Sequence, residues 1–150
     1  MEAITAVERP VNDLIEFLRA RLDEDERVAR AAVERGMSVW EAHEQGRVAM
    51  VSLPDGDALI YDEGSPNDDQ ARHIARWDPA RVLAEVQAKR RIVDEVAPEM
   101  ETIEWVRDQE FAASSDPTEY QSRKLLGLLA TSYADHPDYD PAWMVEAVAP

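Results

Sequence analysis

The sequence has 150 residues, no cysteine and a formal net charge of −16. This length can bury a core without covalent staples, so we expect a single domain over residues 1–150; disulfides and thiolate chemistry are excluded. Because no apolar run resembles a signal peptide or can cross a bilayer, we expect a cytoplasmic protein. The acidic charge opposes binding to nucleic acid or anionic membranes, so we expect any partner to be basic. Simple surface solvation explains the same charge.

The first 63 residues predict one long helix followed by a short helix and a hairpin. Residues 1–9 lack a period and should be loosely ordered, whereas apolar spacing predicts a helix from about Pro10 to Arg35, ended by Gly36. Its acidic run, residues 23–26, is interpreted as a solvated face paired with nearby arginines. Residues 37–46 predict a short helix capped by Ser38. Residues 47–63 predict a β-hairpin, because two β-prone runs flank a Pro-Asp-Gly-Asp turn at residues 54–57.

The central helical segment, residues 70–97, contains the strongest helix signal and is the one stretch in which basic side chains outnumber acidic ones. Asp78 followed by Pro79 is typical of an N-cap and a first helical residue. A separate short helix is expected before it, over residues 70–77, capped by Asn67 and buried through Ile74 and Trp77. After Pro79, one stripe of aliphatic residues at helical spacing is expected to be buried: Val82, Leu83, Val86, Ile92 or Val93, and Val96.

The last third of the chain predicts three further helical pieces. Pro98 interrupts the pattern, and Met100, Ile103 and Val106 then indicate a helix to about Phe111. The C-terminal helical segment, residues 117–150, begins at Asp116-Pro117 and contains a leucine-rich helix and a short helix after Asp140-Pro141. The fold class expected is therefore mainly α (α+β), a bundle of about four main helices with an inserted β-hairpin.

Three sequence blocks resemble a known but uncharacterised family. The blocks are LIEFLRARLDEDERVAR near the start, HIARWDPARVLAEVQAKRRIV in the centre and LLGLLATSYADHPDYDPAW near the end. Together they are similar to small proteins of actinobacteria and their phages that form a domain of unknown function. Relatives often have His where this chain has Trp77, and many carry a Cys-x-x-Cys-like element that is missing here. The resemblance implies no activity.

Candidate metal ligands are His73, Asp78, His136 and Asp138. Imidazole and carboxylate groups can bind a divalent metal if the tail folds back onto the central helices. No pair of histidines has the i,i+4 spacing of a helical zinc site, and a hydrogen-bonded structural histidine explains the same residues. Serine-nucleophile and phosphate-loop motifs are absent, so no catalytic residue is assigned.

Candidate partner-binding residues are Arg76, Arg81, Lys89 and Arg90. The favoured explanation of these cations is that they neutralise acids within the fold. The leading hypothesis is a small, acidic, non-enzymatic protein-binding module, encoded by a phage or prophage, that mimics nucleic acid toward a basic protein. One alternative is a small metal-dependent hydrolase or nucleotide-handling enzyme. Another is a structural protein that forms homo-oligomers through the hairpin edge.

Overall fold

The computed structural model describes residues 8–33, 38–50, 58–61, 68–111 and 120–146. The α-helices in these residues are α1 (Glu8–Ala31), α2 (Asp68–Arg76), α3 (Pro79–Arg91), α4 (Ala97–Glu110) and α5 (Gln121–Ala130). The strands are β1 (Trp40–His43), β2 (Arg47–Met50) and β3 (Ala58–Tyr61). The predicted fold class, mainly α with about four main helices and an inserted β-hairpin, is confirmed, with α1, α3, α4 and α5 as the main helices.

The chain divides into two compact units. We call Met1–Asp23 with Ala88–Pro150 the terminal unit, and Glu24–Gln87 the middle unit. Helices α1 and α3 each contribute residues to both units. That all 150 residues form one domain stays a prediction. Of the residues expected to be loosely ordered, Glu8 and Arg9 are helical, and residues 1–7 lie outside the described part of the chain.

The middle unit contains an antiparallel sheet with strand order β1-β2-β3. Strands β2 and β3 form the predicted hairpin, whose turn at residues 54–57 lies outside the described residues. The helix predicted over residues 37–46 is wrong: β1 pairs with β2, and a three-residue turn at Glu44–Gly46 joins them, with Gln45 at a φ of 65°. Residues two positions apart point to the same face of a strand but to different sides of a helix. As a strand, β1 can therefore pack both Trp40 and Ala42 against the buried cluster, which a helix could not do.

Helix α2 packs across β1 and β2 through two alanines. Ala71 and Ala75 are buried against Val48. The prediction that the short helix over residues 70–77 is buried through Ile74 and Trp77 is wrong, because these residues are 37% and 44% exposed. Small side chains let the helix approach the sheet closely, while the larger residues Ile74 and Trp77 stay partly exposed. The proposed cap, Asn67, lies outside the described residues.

Helix α1 supplies four of the largest buried side chains of the terminal unit, at helical spacing: Leu14, Phe17, Leu18 and Leu22. Its acidic run is partly paired within the helix, as predicted, by Arg27 with Glu24 and Arg30 with Glu26. Two other pairs reach across the unit, where Arg19 binds Asp94 and Asp23 binds Arg90. The helix ends at Ala31, and the expected stop at Gly36 lies outside the described residues.

Between α3 and α4 the chain forms a π-helical turn, Ile92–Val96, which ends with a hydrogen bond from the Ala97 amide to the Ile92 carbonyl. Pro98 lies in the first turn of α4, which continues directly from this π-helical turn. Because proline has no N–H to donate, the regular helical hydrogen-bond pattern cannot pass unchanged through this position. The predicted interruption at Pro98 takes the form of this wider turn. Val86, Val93 and Ala97 are buried along the combined helical segment, whereas Val96, predicted to be buried, is 41% exposed.

Helix α5 packs on α4, and the residues after it form successive tight turns. The short helix predicted after Asp140 is confirmed as a 3-10 turn, Pro141–Trp143, with the Asp140 carboxylate accepting a hydrogen bond from the Ala142 amide at 2.9 Å. The predicted helix start at residues 116–119 lies outside the described residues. Phe17 on α1 anchors this tail through ring contacts at centroid distances of 5.0 to 6.4 Å, with Tyr133, His136, Tyr139 and Trp143.

Candidate functional site

The predicted metal ligands of the middle unit have structural partners. Asp78 caps α3: one carboxylate oxygen accepts a hydrogen bond from the Arg81 amide at 2.9 Å, and the other accepts one from the Trp40 amide at 3.2 Å. The carboxylate thus joins the start of α3 to β1, and the predicted cap is confirmed. His73 is exposed on α2, with its ring 6.4 Å from that of Trp77.

The other two predicted ligands lie in the tail of the terminal unit. His136 packs edge-on against Phe17, and its Nδ1 accepts a hydrogen bond from the Asp138 amide at 3.1 Å. The Asp138 carboxylate lies 3.9 Å from the same nitrogen and is 77% exposed. Within the described ranges, no group of three or more His, Cys, Asp or Glu side chains is arranged to hold a metal ion. The four-residue metal site therefore stays a prediction.

The predicted partner-binding cations are distributed over both units. Arg81 stacks over the Trp77 ring at 4.2 Å and forms an ion pair with Glu85 at 2.9 Å. Arg90 forms an ion pair with Asp23 at 2.6 Å. Arg76 is exposed on α2, and Lys89 is half-buried on α3. Two of the four cations, Arg81 and Arg90, thus form ion pairs within the fold. That the four residues bind a partner stays a prediction.

An apolar groove of about 330 Å³ lies in the middle unit. It is lined by residues from the end of α1 and just after it, from β1, from the turn between α2 and α3, and from the start of α3: Asp25, Val28, Ala29, Ala32, Trp40, Trp77, Pro79 and Val82. The Nε1 atom of Trp40 is buried and has no hydrogen-bond partner in the described part of the chain. A groove of this size and lining accommodates one or two apolar side chains rather than a polar substrate.

The buried face of α4 is acidic, which the sequence pattern did not indicate. Glu104 and Asp108 are one helical turn apart and are 8% and 6% exposed. Glu104 accepts hydrogen bonds from the amides of Gln121 and Ser122, at 2.7 and 3.2 Å, and from the Ser122 hydroxyl at 2.8 Å. Helix α5 has no side-chain cap of its own at Tyr120, so a carboxylate of α4 binds its free amides.

Asp108 binds the hydroxyl of Tyr120 at 2.9 Å. Burial of the ring raises the pKa of Tyr120 above its usual 10.0, and the hydrogen bond to Asp108 and the nearby charges of Asp108 and Glu104 add to this, while Arg123 acts in the opposite direction. Two buried carboxylates on one helix would suit acid-base catalysis if one faced an open cleft. Here both bind groups at the start of α5, so their role is to hold α4 and α5 together.

The outer face of α4 carries large apolar side chains that the described fold leaves exposed. We define the α4 stripe as five exposed residues three or four positions apart, the first at the end of the π-helical turn and the others on α4: Val96, Glu99, Ile103, Val106 and Glu110. Its aliphatic members are 41%, 61% and 45% exposed. Trp105 on α4 and Phe111 just after it are also exposed, at 57% and 75%, but they lie outside the stripe; Trp105 is about 200° around the helix from Ile103. The helix predicted from Met100, Ile103 and Val106 is confirmed, but these positions do not form its buried face.

Of three comparisons with known proteins, one finds a match. No helix among the described residues is long and apolar enough to cross a membrane. No curated protein and no solved structure matches the chain. The family model DUF6221, described as a family of unknown function, matches residues 11–145. This match spans nearly the whole sequence and includes all three blocks on which the resemblance was based, so the chain belongs to DUF6221.

Proposed function

We propose that this protein is a small, acidic, non-enzymatic protein-binding module with a basic partner. The observation that carries the proposal is the α4 stripe, in which three exposed aliphatic side chains share one helix face with two glutamates. Exposed apolar positions at helical spacing are typical of surfaces that bind another helix. The net charge of −16 disfavours acidic partners and direct binding to nucleic acid and would accelerate association with a basic protein.

Competition with nucleic acid for that basic protein is the most specific form of this function. The charge supports it, because a surface rich in carboxylates presents a field similar to that of a phosphate backbone. The family resemblance supports an origin in actinobacteria or their phages and an action in the cytoplasm of the host.

The experiment is affinity capture from an actinobacterial lysate with three versions of the full chain. These are the wild type, the double variant Ile103→Ser with Val106→Ser, and the matched control Trp105→Ser. Trp105 is also an exposed apolar residue of α4, but it lies about 200° around the helix from Ile103.

We expect basic proteins that the wild type and the control retain and that the stripe variant loses. Added DNA should displace these proteins if the module competes with nucleic acid. Equal retention by all three versions, or no enrichment of any protein, would contradict the proposal. Circular dichroism of each variant establishes that the helices are intact.

A further inference from the structure

The positions of the two glutamates in the α4 stripe restrict what can bind there. The spacing of the five residues alternates between three and four, as in the a and d positions of a coiled coil. The aliphatic residues Ile103 and Val106 occupy the centre, and Glu99 and Glu110 lie on either side of them. All four are exposed on a helix that is otherwise held in place by its acidic inner face.

A second copy of the chain is a poor occupant in either direction. In an antiparallel pair centred on Ile103 and Val106, Glu99 of each copy would lie against Glu110 of the other. In a parallel pair, each glutamate would lie against its own equivalent. Like charges facing each other across a helix pair are destabilising, and the overall charge of −16 adds to the repulsion.

We infer that the α4 stripe binds an amphipathic helix of a partner, with aliphatic residues at its centre and a lysine or arginine on each side. Since Glu99 and Glu110 are eleven positions apart, the two cations should also be about eleven positions apart on the partner helix. Long basic side chains suit this arrangement because their methylene stems pack on Val96, Ile103 and Val106 while the charged ends reach the carboxylates. This inference rests on the proposed function and names the class of partner for it.

The contact is expected to be weak and salt-sensitive. A face of five residues buries less surface than the roughly 1,000 Å² that a stable interface needs, so charge complementarity has to contribute much of the selectivity. The inference is specific, because the positions of Glu99 and Glu110 fix both the sign and the spacing of the charges on the partner helix.

The test uses synthetic helical peptides and the full chain. The matched peptide has an alanine-rich background with Lys, Ile, Val and Lys at relative positions 0, 4, 7 and 11, which is the spacing of Glu99, Ile103, Val106 and Glu110. A second peptide has the same composition with both lysines moved two positions along, to the other side of the helix. A third has glutamate in place of both lysines. Binding is measured by fluorescence anisotropy at low and moderate salt.

We expect the matched peptide to bind about tenfold more tightly than the peptide with moved lysines. The variant Glu99→Lys with Glu110→Lys should reverse the preference and bind the glutamate peptide. Equal binding of the matched and moved peptides would overturn the inference, since it would show only nonspecific attraction to an acidic protein. Sedimentation of the wild type as a dimer that Ile103→Ser makes monomeric would also overturn it, by showing that a second copy occupies the stripe.

The two proposals fail in different ways. If lysate proteins require Ile103 and Val106 but the peptides do not discriminate, the protein-binding function stands and the helical, basic partner is wrong. If neither peptides nor lysate proteins depend on the stripe, both are wrong.

Discussion

Glu104→Ala should be among the most destabilising single substitutions in the terminal unit. The carboxylate, only 8% exposed, binds two amides at the start of α5 and the hydroxyl of Ser122, which is 1% exposed. Loss of a helix cap costs about 1–2 kcal/mol, and a buried hydroxyl left without its acceptor costs about 1–3 kcal/mol. Removing the charge also recovers part of its desolvation cost, so we expect a net loss of about 2–4 kcal/mol in the free energy of unfolding.

Urea denaturation followed by circular dichroism measures this loss. With a urea dependence of about 2 kcal/mol per molar, the midpoint should fall by about 1–2 M. Gln109→Ala is the matched control, because Gln109 is exposed on the same helix, and its effect should stay within about 0.5 kcal/mol. A midpoint for Glu104→Ala equal to that of the control would refute the assignment of Glu104 as the cap of α5.

A double-mutant cycle with Ser122→Ala separates the two contributions. In the Glu104→Ala background the hydroxyl has lost its acceptor, so removing it should recover about 1–2 kcal/mol relative to additivity. Strict additivity would show that the 2.8 Å contact between Glu104 and Ser122 contributes no coupling energy.

Three further predictions concern other contacts. Gly127→Ala should displace the tail and lower the free energy of unfolding by about 1–3 kcal/mol, because an added Cβ would lie 2.6 Å from the Trp143 carbonyl oxygen. The tail of this variant should be cleaved faster by a protease than the tail of the control Leu128→Ala, whose substitution lies on the exposed side of α5, and equal cleavage rates would contradict the prediction. The phenol of Tyr120 should titrate above its usual pKa of 10.0, so the folded state binds this proton more tightly than the unfolded state. The stabilisation from this proton should be fully present below pH 10.0 and be lost as the pH rises through the pKa of the folded state. Ultraviolet titration of the phenolate and pH-dependent unfolding test this, and Tyr120→Phe should remove the slope. Asp78→Asn should keep the α3 cap but lose the hydrogen bond from the Trp40 amide, because a side-chain amide has one acceptor oxygen, and should cost about 1 kcal/mol. Asp78→Ala loses both hydrogen bonds and should cost about 2–3 kcal/mol; equal thermal midpoints for the two variants would disprove the capping role.

Local sequence chemistry determined several elements directly. Asp-Pro pairs predicted the starts of α3 and of the turn after Asp140, since an aspartate can accept amide hydrogen bonds and proline loses none at the first helical position. The β-prone runs around residues 54–57 predicted the pairing of β2 with β3. These features depend on residues close together in the chain, and for that reason they could be recognised from the sequence.

Tertiary structure decided which faces became buried. The sequence placed residues 37–46 in a helix, but β2 offered a pairing edge, and β1 formed instead. Similarly, the apolar spacing of Ile103 and Val106 predicted a helix correctly without showing that this face would be exposed. The free amides of α5 required acceptors, and Glu104 on the opposite side of α4 supplied them. A helical period in the sequence indicates that the two faces of a helix differ in polarity, whereas the elements packed around the helix determine which face is buried.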